Sequence, residues 1–134
     1  MVTFMKQTDH NRCIYIIHKY MLEHPQIFSV KDAPCYGFEK GPDLIAHNLC
    51  MDVIDYIEVE LDATNSKKFA RIAERANNLV SKHNKPVRLW LVSSSDKWIL
   101  GIRKEIQKLG EKSENRISIR RISPLDIGER HFPF

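Results

Sequence analysis

Two strand-like runs enclose one amphipathic helix between residues 53 and 92, and that order leaves the chain few ways to fold. The second half of the first run alternates strictly, with Ile57, Val59 and Leu61 set against Glu58, Glu60 and Asp62. This is the period of a strand with two different faces. Residues 67–83 switch to helical spacing, and Phe69, Ile72, Ala73, Ala76, Leu79 and Val80 form a core-facing stripe. Ala63-Thr64-Asn65-Ser66 supplies capping residues before that helix, and Asn84-Lys85-Pro86 stops it. The run from Val87 to Val92 is so apolar that it belongs at the centre of a sheet. A strand, a helical crossover and a second strand in one sheet give a parallel pair with a right-handed connection.

The flanks complete an α/β pattern. A helix is expected over residues 9–23, with Thr8 or Asp9 as N-cap and Ile14, Ile17, Met21 and Leu22 inward, ending at His24-Pro25. A short β-prone run at 26–30, a turn at 31–34 and extended chain at 35–38 lead to a strand at 43–48. With a turn at 49–52, that strand and the one at 53–61 are close enough to form an antiparallel meander. Beyond residue 92, Ser93-Ser94-Ser95-Asp96 caps a helix over 97–109, with Ile99, Ile102, Ile106 and Leu109 inward and Gly110 as C-cap. A polar turn at 111–115, a basic strand at 116–122 and an irregular tail at 123–134 follow. The expected fold class is α/β: a mixed sheet flanked by helices, helix–three strands–helix–strand, then an extra helix and strand.

At 134 residues the chain is expected to form a single domain over 1–134, core 9–92 and extension 93–134. A domain of this size buries roughly two-thirds of its unfolded surface, without help from disulfide or zinc. Its three cysteines, widely spaced and with no C-x-x-C, fit a reducing cytoplasm. Neither a signal peptide nor an apolar run long enough for a membrane span is evident. The net charge of +4 is compatible with an anionic partner such as nucleic acid.

Acids of one sign stacked about 7 Å apart along a strand face repel. Open water tolerates them, and so does a cation. Upstream, Gly41-Pro42 feeds Asp43 into the preceding strand, beside Glu58 and Glu60. Lys67, Lys68, Arg71 and Arg75 follow directly on the acidic strand, where they would meet any phosphate backbone brought to it, and Arg116, Arg120 and Arg121 extend that track. The plainer alternatives are a wet strand face and a solvated helix face. The six histidines form no H-x-x-x-H or H-E-x-x-H, though His47 shares a strand and a face with Asp43. Trp90 and Trp98 lie in apolar patterns that predict core packing. Ser93-Ser94-Ser95 lacks the G-x-S-x-G of a nucleophile elbow, and no glycine-rich phosphate loop is present.

The element order, Pro42-Asp43 at the start of the second strand and Glu58-Val59-Glu60 on the third together resemble the PD-(D/E)XK nuclease superfamily, over roughly residues 9–92. The resemblance implies a restriction-endonuclease-like fold. It implies Asp43 and Glu58 as carboxylate ligands of Mg²⁺ or Mn²⁺, with the Val59 carbonyl as a third oxygen. Glu60 stands where the motif has lysine, a variant found in some restriction enzymes, where it binds metal or accepts a proton. Lys67 or Lys68 can return a lysine from the next helix, and Glu23 is where related enzymes sometimes add an acid. The implied function is metal-dependent DNA endonuclease, resembling a Holliday-junction resolvase or a restriction enzyme and acting as a homodimer. A DNA-binding or assembly module that keeps the fold without activity is the alternative, and a protein-interaction domain with a wet acidic face is a third.

Overall fold

The computed structural model describes residues 2–36, 41–61 and 67–134, with side chains from residue 9 onward. Asp62, the capping run at 63–66 and residues 37–40 lie outside the described residues. The elements run α1 (Val2–Leu22), β1 (Phe28–Ser29), β2 (Leu44–Asn48), β3 (Val53–Val59), α2 (Lys67–His83), β4 (Val87–Val92), α3 (Lys97–Lys108), α4 (Glu111–Arg116), β5 (Ile117–Ile122) and α5 (Pro124–Gly128). The α/β core is therefore helix, three strands, helix, strand, followed by further helices and a strand, as expected.

One five-stranded sheet takes the strands in sequence order, β1 to β5. The pairs β1–β2 and β2–β3 are antiparallel, whereas β3–β4 and β4–β5 are parallel. The two crossovers put α2 and α3 on one face. There Ile72, Ala73, Ala76, Trp98, Ile102 and Ile106 pack on Ile54, Tyr56, Leu89, Leu91, Ile117 and Ile119. On the other face α1 and α5 bring Ile14, Ile17, Met21 and Ile127 against Leu44, Ala46, Ile57, Val59, Trp90 and Val92. Because successive strand residues point to opposite faces, β3 serves both cores, and its residues from Ile54 to Val59 are all buried. The arrangement is a mixed sheet between helical layers, consistent in general topology with restriction-endonuclease-like folds.

Several boundaries differ from expectation. Helix α1 begins at Val2, so Thr8 and Asp9 lie inside it rather than capping it, and Leu22 is exposed rather than inward. In the turn between β2 and β3, Asn48 Oδ1 accepts from the amides of Cys50 and Met51, while Asp52 takes a positive φ of 55°. Leu109, expected inward, is exposed at the C-cap of α3. Gly110, at φ 114°, precedes a short helix, α4, where a polar turn was expected. The tail is ordered too: Ser123 Oγ accepts from the Leu125 amide to start α5, with Pro124 in its first turn. Phe134 then packs edge-on against Trp90 and near Phe28.

Candidate functional site

The sheet changes from antiparallel to parallel pairing at β3, and the acids gather at that strand's carboxyl end. Register pairs Leu44 with Ile57, so Asp43, one step before β2, lies across from Glu58. Asp43 Oδ2 accepts from the Val59 amide at 2.8 Å, and the Asp43 amide donates to Glu58 Oε2 at 3.4 Å. Glu58 Oε2 also accepts from the buried Tyr56 hydroxyl at 3.2 Å. The Glu60 amide donates to the Val92 carbonyl, which fixes the chain just past β3 to the end of β4.

Three basic groups converge on these acids. From α2, Lys68 Nζ lies 3.3 Å from Glu60 Oε2, and Arg75 Nη1 lies 3.3 Å from Glu58 Oε1. From α1, across the sheet edge, His10 Nε2 lies 3.3 Å from Asp43 Oδ2. Lys68 and Arg75 are seven positions apart, two turns of helix, which brings both to one face.

The balance of charge is set by burial. The Glu58 carboxyl is pushed well above its usual pKa, first by burial and then by the charges of Asp43 and Glu60, with Arg75 opposing. Burial also raises Glu60, against the pull of Lys68 and with a further push from Asp43. Burial works against the His10 imidazolium, yet its hydrogen bond to Asp43 and that residue's charge, helped by Asn11 and Glu60, hold its pKa above the usual value. Tyr56 is raised well above the ordinary phenol value, by burial and then by Glu58. The acids are thus crowded in a poorly solvated site, and a proton or an added cation relieves them.

The other expected residues are more dispersed. Lys67 and Arg71 are exposed on the first turns of α2, whereas Arg75 is half-buried and turned inward. Arg120 is exposed on β5 in register with Trp90, hence on the sheet face opposite α2. Arg121 is held by Asp96 at 2.6 Å and by the Ser93 carbonyl, and Arg116 ends α4. His47 sits at the far end of β2, where Asp52 takes its ring at 2.9 Å. Glu23 lies past the end of α1, beside Lys19 and Arg130, so the group that helix delivers to the acids is His10 instead. No spacing motif marks His10, because its role depends on where α1 crosses the sheet.

A third buried acid, Asp55, lies outside the residues that the sequence singles out. It is fully buried on the opposite face of β3, and its carboxylate accepts from Arg88 Nε at 2.7 Å and Nη2 at 2.9 Å. Trp90 Nε1 and Asn48 Nδ2 complete its shell at 2.9 and 3.2 Å. Asp55 and Arg88 are register partners, and each interrupts an otherwise apolar run. That coincidence was a readable signal. With four donors satisfied, this cluster is a structural lock.

Among the described residues, one Asp/Glu/His group that can hold a metal ion has its ligand atoms within 4.8 Å of one another: Asp126, Glu129 and His131, all exposed. Asp43, Glu58 and Glu60 are not drawn that close; their oxygens turn to His10, Arg75 and Lys68. No described helix is long and apolar enough to cross a membrane. Comparison with protein-family models, curated proteins and solved structures finds no match to this chain.

Proposed function

We propose that the chain is a single nuclease-like domain of the PD-(D/E)XK type, which hydrolyses DNA phosphodiester bonds with Mg²⁺ or Mn²⁺. The observation that carries this reading is the buried, charge-frustrated pair Asp43 and Glu58 on neighbouring strands, with Glu60 beside them and Lys68 reaching back from α2. The donor set suits such an ion: its side chains offer only carboxylate oxygen, the ligand type that hard divalent cations prefer. Asp43, Glu58, Glu60 and the Val59 carbonyl would hold the ion. When bound, it supplies a more acidic water and neutralises charge building at phosphorus.

The chain's own groups divide the remaining work. Lys68, held by Glu60, takes the role of the motif lysine. Glu60 accepts the proton released by the attacking water. Lys67, Arg71 and Arg75 bind the DNA backbone without reading bases. Arg120, on the other face of the sheet, joins them only where DNA passes the β5 edge. Two antiparallel strands of a duplex call for two copies of the site, hence a homodimer. None of the three cysteines forms a disulfide, which suits a reducing cytoplasm.

Supercoiled plasmid tests the reading. Nicking or linearisation in Mg²⁺ or Mn²⁺ that disappears in Asp43→Ala and Glu58→Ala is expected, and cleavage that survives both substitutions overturns the assignment. One observation favours a second reading, a DNA-binding module without activity: His10, Arg75 and Lys68 already pair with the acids. Salt-dependent DNA binding without cleavage in either metal would select it.

A further inference from the structure

At the end of α2 remote from the acids, between that helix and the β1–β2 side of the sheet, lies a concavity of about 240 Å³. Its apolar wall is Ile45 and Ile54, on the face of β2 and β3 that packs toward α2. Three lysines line it: Lys31 after β1, Lys82 in the last turn of α2 and Lys85 just past that helix. Ser29 adds a hydroxyl from β1.

Placing cations at a helix C-terminus is favourable in itself, and that accounts for Lys82. It extends to Lys85, two residues past the helix, but it does not account for Lys31, which comes from the chain after β1. Lys85 is paired with Asp52 at 2.6 Å, an acid that also holds His47. Lys31 and Lys82 make no ion pair among the described residues, and Asp32 is the one acid in the lining. The crowding reaches His83 on the same rim, whose pKa is lowered by burial and then by Lys82, His47 and Lys31. Positive groups beside an apolar wall match a ligand with an anionic head and a small flat body.

We propose that this concavity binds a phosphate monoester of nucleotide size, with its phosphate among Lys31, Lys82 and Lys85 and its body against Ile45 and Ile54. The site is distinct from the acid cluster, since Lys68 and Lys82 are about 21 Å apart along α2. It does not depend on nuclease activity. The same chemistry is offered by a free nucleotide and by the 5′-phosphate at the end of a nucleic-acid strand.

The test is a ¹⁵N–¹H titration of the full chain at fixed ionic strength with dAMP, deoxyadenosine, and a short oligonucleotide with and without a 5′-phosphate. Saturable shifts at Ser29, Ile45 and His83 are expected with dAMP and not with deoxyadenosine. The double substitution Lys31→Ala, Lys82→Ala, at two exposed positions, should weaken dAMP binding by about tenfold or more while the remaining spectrum stays native. Tighter binding of the phosphorylated oligonucleotide than of dAMP identifies a strand end as the source, and equal or weaker binding identifies a free nucleotide. Absence of saturable shifts with either phosphorylated ligand, or shifts that the double variant leaves intact, overturns the proposal. Asp43→Ala, titrated in parallel, should bind dAMP like the parent, so a failure here is separable from a failure of the nuclease reading.

Discussion

Ionising Glu58 opposes the fold, and that has a measurable sign. Its pKa in the folded protein lies above the ordinary 4.5, so its stabilising contribution is complete below that value and drains away as pH rises through the folded value. His10 runs the same way: raised from 6.5, its contribution is complete below 6.5 and is lost as the ring deprotonates. Stability without divalent ions should therefore fall from mildly acid to alkaline pH. Glu58→Gln, which cannot ionise, should melt a few degrees above the parent at pH 8 and converge with it near pH 4.5 by differential scanning calorimetry. Asp55 is held by hydrogen bonds from Arg88 and Trp90, so Asp55→Ala strands both and should cost about 3–5 kcal/mol in urea denaturation.

Element by element, periodicity was a good guide where a stripe meets a core. Residues 67–83 and 87–92 form the helix and central strand that their apolar spacing predicts, and the meander and parallel pairing follow. It was a poor guide where little packs. Helix α4, Glu-Lys-Ser-Glu-Asn-Arg, buries no residue and so offers no stripe to read. Helix α5 is too short to show a period, although Ser123-Pro124 carried a start signal. Within the acid cluster, Asp43 and Glu58 were legible as neighbours because strand register follows from sequence alternation. His10 was not, since contact between α1 and the sheet edge is a tertiary matter. The fit of α2 to α3 was equally hidden: a Cβ on Gly101 would lie 2.3 Å from the Phe69 ring, which stands edge-on to Trp98. Gly101→Ala improves helix propensity yet should destabilise by about 1–3 kcal/mol, because the ring must move. A chemical melt that shows stabilisation instead would mean the two helices slide apart freely.

At the scale of the whole molecule, the basic residues are unequally divided between the two faces of the sheet, and the proposed DNA binding should follow that division. Lys67, Lys68, Arg71 and Arg75 lie with the acids on the α2 side, while Arg120 faces away. Arg71→Ala should lower the slope of log affinity against log salt by about 1, and Arg120→Ala should leave it nearly unchanged. Equal effects would mean that the nucleic acid wraps around the β5 edge.

The proposed metal site is tested most directly by where a divalent ion binds. Thermal unfolding across a Mn²⁺ titration, in the parent, Asp43→Ala, Glu58→Gln and Asp126→Asn, measures this. An ion shared by the β2–β3 acids should stabilise the parent by about 2.7 kcal/mol at a hundredfold excess over Kd. That gain should vanish in Asp43→Ala and Glu58→Gln and persist in Asp126→Asn. No stabilisation of the parent, or a gain that only Asp126→Asn removes, would contradict the account.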